Sequence, residues 1–137
     1  MTFAAADAAT PVAGSTDSGS MDATAVRAMV RLFAVWKVSV HESAMLASVS
    51  TRTWSRMKAG AWSSALTQDQ LMRASGLVGI YKGLHLYFSD ELADQWVQMP
   101  NHGKLFNGSA PSAFMVIGGL PAILRVRGYI DAIRGGM

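Results

Sequence analysis

Apolar residues recur at spacings of three and four along most of the chain, which is the period of an amphipathic α-helix. One such run predicts a first helix over about residues 22–37. A second run predicts a long helix over about residues 68–88. No stretch shows the alternation with period two that a half-buried strand requires. The pattern therefore predicts an all-α fold, a small helical bundle.

Residues that cap or break helices divide this pattern into elements. Ser39 with Glu42, and Thr67 with Gln70, have the spacing of a capping box, in which each side chain bonds the other residue's backbone N–H. Ser50 and Ser89 are predicted as further N-caps, Gly60 as a helix-ending glycine and Pro100 as a helix stop, and Pro111, Gly118, Gly119 and Pro121 bound two helices near the C-terminus.

The first 20 residues differ from the rest of the chain. They are rich in Ala, Ser, Thr, Gly and Asp, and they contain neither a basic residue nor a sustained apolar run. This composition predicts a disordered leader, not a secretory signal. We divide the chain into this leader at residues 1–20, a first helical region at 21–65 and a second at 66–137.

Composition limits the classes of function. Half of the 137 residues are hydrophobic and 15% are charged, so the chain can bury a core. It has no cysteine, which excludes disulfides and thiol chemistry and suits the cytoplasm. Charged or polar residues interrupt every apolar stretch within about a dozen residues, so we expect no transmembrane helix. Residues 27–137 hold all 12 basic residues against 6 of the 9 acidic ones, which suits an anionic partner.

Catalytic and metal-binding chemistry finds no support in the sequence. The three histidines are far apart, and there is no nucleophile elbow or glycine-rich phosphate loop. We therefore expect no metal, no cofactor and no enzymatic activity. Gly79 and Gly83 stand four residues apart with Lys82 between them, which favours close packing of soluble helices over pairing in lipid.

Residues 40–59 have the proportions of a helix-turn-helix, a DNA-binding motif with a short turn between two short helices. Trp54 and Met57 fall on the inward side of the second helix. Ser48 occupies the turn position where glycine is usual, so an altered turn that no longer supports DNA binding is one alternative. A solvated basic face is another. The residues predicted to contact DNA are Ser50, Thr51, Arg52, Ser55, Arg56 and Lys58.

The segment "QWVQMPNHGKLFNGSAPSAFMVIGG" and the final "VRGYIDAIRGG" carry a family resemblance. Their order of features, Trp-x-x-x-Pro-Asn, then an aromatic residue and glycine, then a Gly-Gly break, resembles the Xre/MbcA/ParS group of bacterial antitoxins. The resemblance covers residues 66–136 well and 24–65 more loosely. One departure is that Gly108-Ser109-Ala110-Pro111 replaces the family's Gly-x-Ser/Thr-Pro. The residues taken as structural on this basis are Trp96, Pro100, Asn101, Gly108 and Pro111.

The resemblance implies a two-part protein. The helix-turn-helix half would bind the operator of its own operon, and residues 66–137 would bind and silence a cognate toxin. A homodimer is expected, since helix-turn-helix proteins usually read two half-sites. In this family the toxin is typically of the RES-domain type, which attacks NAD. The residues expected to bind the toxin are Arg125, Arg127, Tyr129, Ile130, Ile133, Arg134, Gly135, Gly136 and Met137.

Two alternatives to this interpretation stay open. The segment from Arg125 to Met137 either reaches into the cofactor site of the toxin or is a solvated basic tail. The whole chain is either an antitoxin or a stand-alone transcriptional regulator whose C-terminal half only dimerises.

Overall fold

The computed structural model describes residues 13–135, with side chains from residue 19 onward. Every regular element in this range is helical, which confirms the all-α prediction. The elements are α1 (Ala13–Trp36), α2 (Val40–Ala47), α3 (Thr51–Lys58), α4 (Gln68–Tyr87), α5 (Asp90–Gln95), a 3-10 helix (Trp96–Gln98) and α6 (Pro111–Arg134).

The first helix is longer than its sequence pattern predicted. It begins at Ala13, not near Asp22, so residues 13–20 are helical although we assigned them to a disordered leader. The sequence pattern missed this extension because these residues have no apolar period. The remainder of the leader, residues 1–12, and the last two residues lie outside the described part of the chain.

Both predicted capping boxes are present. The Ser39 hydroxyl accepts a hydrogen bond from the Glu42 N–H at 3.1 Å, and the Glu42 carboxylate accepts one from the Ser39 N–H at 3.0 Å. Thr67 and Gln70 form the same pair of bonds at the start of α4. Each box satisfies backbone donors that the first helical turn leaves without a partner, which fixes where the helix begins.

The two predicted regions share one hydrophobic core. Trp54 of α3 packs on Phe33 of α1 with ring centroids 5.2 Å apart, and the same cluster of buried residues continues into α4 and α6. Polar bonds also join the regions. The Leu66 N–H donates to the buried Asp22 carboxylate at 3.3 Å, and Gln98 donates to the Trp36 carbonyl at 3.1 Å. The boundary at residue 65 therefore does not separate two cores, because the hydrophobic core is continuous across it.

The helices α4 and α6 pack closely against each other. A Cβ built at Gly76 would lie 2.8 Å from Cγ2 of Ile123, and one at Gly83 would lie 2.7 Å from Cγ2 of Ile130. At Gly79, between them, the guanidinium of Arg127 covers the backbone. The residue numbers of the contacting pairs rise in the same direction along both helices. The helix α4 and the last part of α6 therefore run parallel. The prediction that Gly79 and Gly83 serve close helix packing is confirmed.

The helix α6 consists of two segments that meet at Gly119. This residue has φ 68° and ψ −151°, a conformation that essentially only glycine adopts, and Pro121 lies in the first turn of the second segment. The predicted break at the glycine pair is thereby confirmed. Among residues 13–135, α6 alone is long and apolar enough to cross a membrane. It is broken at Gly119, and its second segment packs along α4.

His85 fixes the corner between α4 and α5. Its Nδ1 lies 2.9 Å from Asp90 and its Nε2 lies 2.7 Å from Asp94. Both ring nitrogens can donate to carboxylates only when the imidazole is protonated. Burial lowers the pKa of His85, but the hydrogen bonds and charges of Asp90 and Asp94 outweigh burial, so the pKa is raised above its ordinary value of 6.5.

Substitution of the packing glycines should destabilise the protein. In Gly83→Ala the new methyl group meets Ile130, which is 1% exposed and cannot move aside. Gly128→Ala is the matched control, because a Cβ there meets nothing within 4 Å and alanine favours the helix. We expect Gly83→Ala to be less stable than Gly128→Ala by about 1–3 kcal/mol in urea denaturation. Equal stability of the two variants would contradict the packing described for α4 and α6.

Protonation of His85 should make stability depend on pH. Because the folded protein holds this proton more tightly than the unfolded chain, the stabilisation is complete below pH 6.5 and is lost as pH rises through the higher folded-state pKa. Thermal denaturation between about pH 6 and pH 9 should therefore show a fall in melting temperature that His85→Gln reduces. An identical pH profile for the variant would show that the His85 carboxylate pair contributes nothing.

Candidate functional site

The helices α2 and α3 are joined by a three-residue turn at residues 48–50. Ser48 adopts the left-handed conformation, with φ 60° and ψ 50°, and its N–H donates to carbonyls at the end of α2. Glycine usually takes this position because it has no Cβ to strain. Here serine takes the glycine conformation, so the turn expected of a helix-turn-helix forms without glycine.

The outer face of α3 is polar and basic. Trp54 and Met57 are buried on its inner side, and α3 contains no acidic residue. Ser50 is exposed, but its hydroxyl caps the helix by accepting from the Thr53 N–H at 3.0 Å. Arg56 donates to the carbonyl of Ala61 at 3.1 Å. The predicted DNA-contact residues that the structure places in solvent on this helix are Thr51, Arg52, Ser55, Arg56 and Lys58.

An aromatic cluster holds the start of the loop, the loop itself and α6 together. The ring of Phe106 meets those of Trp96, Phe114 and Tyr129 edge to face, with centroid distances of 5.7, 5.4 and 5.3 Å. Trp96 also stacks on Tyr129 at 6.3 Å. Such contacts add to the free energy of burial and restrict the angle between the elements.

Backbone hydrogen bonds close the loop between the 3-10 helix and α6. The Asn101 N–H donates to the Ser109 carbonyl at 3.1 Å, and the Gly108 N–H donates to the Asn101 carbonyl at 2.8 Å. Gly108 has φ +93°, which an L side chain rarely adopts. Pro100 follows the extended residue Met99, and Pro111 is buried at the first position of α6. The segment thus delivers the chain to α6 in a fixed direction.

Three of the residues expected to bind the toxin make contacts within the fold, and one of them, Ile130, is fully buried. Ile130 is 1% exposed and packs on Gly83, so it is a core residue that a partner cannot reach. Tyr129 belongs to the aromatic cluster. Arg127 lies across α4, where it donates to the Ser75 carbonyl at 3.3 Å. The spacing of these residues could not distinguish this role, because arginine and tyrosine are common at interfaces and in helix contacts alike.

The other expected residues are more accessible. Arg125 is exposed, and its guanidinium lies 5.8 Å from the ring centre of Phe114. Ile133 is half-buried, whereas Arg134 and Gly135 are exposed at the end of α6. Gly136 and Met137 lie outside the described residues.

Two accessible apolar residues were missed by the sequence analysis. Leu86 is 74% exposed and Tyr87 is 51% exposed at the end of α4. The parallel register places them beside the end of α6, since Cδ of Arg134 lies 3.7 Å from a Cβ built at Gly83. Both residues lie outside the apolar stripe of α4, and this position in the sequence could have indicated that they are exposed. We define the C-terminal surface as Leu86, Tyr87, Ile133, Arg134 and Gly135.

The C-terminal part of the chain matches a known protein family. A family model described as the antitoxin Xre/MbcA/ParS C-terminal toxin-binding domain matches residues 83–136. The match contains the loop, the aromatic cluster and the C-terminal surface. The uncharacterized protein y4oB of Sinorhizobium fredii is 33% identical over 131 residues, which cover 92% of this chain and 98% of that protein. The resemblance seen in the sequence is thereby confirmed, and the chain belongs to the Xre/MbcA/ParS family of antitoxins.

Proposed function

We propose that this antitoxin silences a RES-domain toxin, which consumes NAD, by covering the toxin's active site with the C-terminal surface. We further propose that it acts in the cytoplasm as a homodimer and represses its own operon through α3. The observation that carries the first proposal is that the match to a toxin-binding domain includes an exposed apolar and cationic surface.

The composition of the C-terminal surface supports binding of another protein. The side chains of Leu86 and Tyr87 expose apolar surface to water, and an exposed apolar patch is a common feature of protein-binding sites. Arg134 adds an exposed cation beside them. Tyrosine and arginine are enriched among the residues that dominate binding energy at interfaces. NAD carries an anionic pyrophosphate, so a pocket that holds it suits a guanidinium.

Burial within α6 limits which residues of the proposed inhibitory segment could enter a toxin pocket. Residues from Arg125 to Ile130 were part of the expected inhibitory segment, but Val126 and Ile130 belong to the core. The segment available for insertion begins near Arg134, where α6 ends.

The face of α3 supports binding of DNA. Arg52 and Arg56 are exposed on a helix without carboxylates, and guanidinium groups can bond phosphates or guanine edges. Because Arg56 also bonds Ala61, Arg52 is the cleaner residue to test. A single half-site offers few contacts, and helix-turn-helix proteins usually read two half-sites as dimers.

Substitution of the C-terminal surface should weaken toxin binding. We expect Leu86→Lys and Arg134→Glu each to raise the Kd for the product of the neighbouring gene about tenfold or more, as measured by calorimetry. Arg27→Glu is the control, since it reverses an exposed charge on α1, a helix that contributes no residue to the C-terminal surface. Loss of growth rescue should follow loss of affinity. Full affinity in both variants would place the toxin elsewhere, and no binding by the wild-type protein would favour the stand-alone regulator.

Substitution of Arg52 should weaken operator binding in a salt-dependent way. For Arg52→Ala we expect lower affinity for the DNA upstream of the gene, and a slope of log K against log salt that is smaller by about 0.9 if one phosphate contact is lost. Arg27→Ala removes an exposed arginine from α1 and should change neither quantity. An unchanged slope for Arg52→Ala would remove α3 from the proposed DNA interface.

A further inference from the structure

The last turn of α4 carries two residues of the C-terminal surface, Leu86 and Tyr87, and neighbouring elements hold this turn on two sides. On one side, a Cβ built at Gly83 would lie 2.7 Å from Cγ2 of Ile130, so α4 is in close contact with α6 there. On the other side, His85 contacts α5 through both of its ring nitrogens. The position of Leu86 and Tyr87 therefore depends on contacts made by the residues just before them.

His85 makes the polar contacts that join the end of α4 to α5. The helix α5 has only six residues, so contacts with the rest of the fold must stabilise it. Nδ1 of His85 lies 2.9 Å from Asp90 in the first turn of α5, and Nε2 lies 2.7 Å from Asp94, four residues later. One side chain thus bonds two successive turns of α5.

These two contacts require a protonated imidazole. The cation has an N–H on each nitrogen and can donate to both carboxylates, whereas the neutral ring has one N–H and one lone pair. After loss of the proton, that lone pair would face the oxygen of Asp90 or Asp94 at 2.9 or 2.7 Å. The ring centre of Tyr81 lies 4.3 Å from that of His85, and an aromatic ring attracts a cation. Loss of the proton therefore releases one of the two turns of α5.

Two carboxylates dominate the charge around this imidazole. Burial lowers the pKa of His85, and the hydrogen bonds and charges of Asp90 and Asp94 raise it by more. The elements that pack near this end of α4 carry further charged side chains, which are Arg31 on α1, Lys82 on α4 itself, Glu91 on α5, and Asp131 and Arg134 on α6. Among the described residues, the bonded carboxylates and not these groups raise the pKa of His85. Its charge state therefore depends on α5 and on the pH of the solvent.

We propose that His85 is a pH-sensitive positioning residue for the C-terminal surface, so that the affinity for toxin falls when its imidazole loses a proton. The inference rests on the proposed function of this surface and adds its regulation. In the protonated protein, Leu86 and Tyr87 are held in place before the partner arrives, so binding orders little. In the deprotonated protein, part of the binding free energy restores the corner between α4 and α5.

Linkage makes this effect reciprocal. If toxin binds the protonated form more tightly, bound toxin must raise the pKa of His85 by the logarithm of the same factor. A histidine that only stabilises the fold would titrate alike in the free and the bound protein. The pKa of His85 in the complex therefore separates regulation of the C-terminal surface from a purely structural role.

The test is calorimetry of the full-length protein with the product of the neighbouring gene, between about pH 6 and pH 9. The wild-type Kd should rise about threefold to tenfold as pH passes through the pKa of His85. His85→Gln should bind with the weaker, high-pH Kd throughout, because glutamine can keep one bond but cannot be protonated. In Asp94→Asn the rise should occur at lower pH, because one carboxylate that favours the cation is gone.

His41→Gln is the matched control, because it removes an exposed histidine of α2 and should keep the wild-type profile. Titrating groups of the toxin affect every variant alike, so the ratio of variant to wild-type Kd at each pH isolates His85. Circular dichroism at each pH checks that the proteins are folded.

NMR titration of the Cε1 proton of His85, without and with toxin, gives the second readout. The pKa should rise on binding by about 0.5 to 1, the logarithm of the expected change in affinity. A ratio of wild-type to His85→Gln Kd that stays constant with pH, or a pKa that toxin does not change, would overturn the inference and leave the proposed function standing. Absence of binding by the wild type at every pH would overturn both.

Discussion

The approach of α6 to the glycines of α4 is the contact on which the remaining geometry depends. One face of α4 has no side chains at three positions, Gly76, Gly79 and Gly83. The space is occupied by side chains of α6, namely Ile123, Arg127 and Ile130. This contact sets the parallel register of the two helices. It also decides which residues of α6 are buried and which reach solvent. The accessible part of the toxin-binding domain therefore depends on the three glycines of α4.

The helices α2 and α3 are joined to this pair of helices by polar contacts as well as by the shared core. Arg73 of α4 bonds the carbonyls of Met45 and Leu46 at the end of α2, and Gln70 bonds the carbonyl of Ser48 in the turn. These bonds satisfy acceptors that a helix end leaves without partners. The turn before α3 is therefore held by the same helix that carries α6.

Much of the fold was predictable from local signals. The capping boxes, the caps at Ser50 and Ser89 and the break at the glycine pair are confirmed, because caps and breakers act through neighbouring backbone groups that sequence spacing describes. The start of α1 at Ala13 was not predictable in this way, since residues 13–20 carry no apolar period. The family was also visible in the order of residues around the loop, and the comparisons confirm it.

The candidate site was harder to predict, for a physical reason. Whether Ile130 or Ile133 faces a partner depends on the rotation of α6 about its axis, which Gly83 fixes from another helix. Likewise, the exposure of Leu86 and Tyr87 depends on where α6 ends beside them. Sequence spacing describes one helix at a time, so it cannot assign residues at a contact between two.

The parallel arrangement of α4 and α6 has an electrostatic consequence. Both helices end at the same side of the molecule, where the two helix dipoles place partial negative charge. Arg134 lies in the last turn of α6 and adds an exposed positive charge at the same end. A molecule that docks there meets charges of both signs within one small area, and it can bind both by presenting a hydrogen-bond donor and an anion side by side.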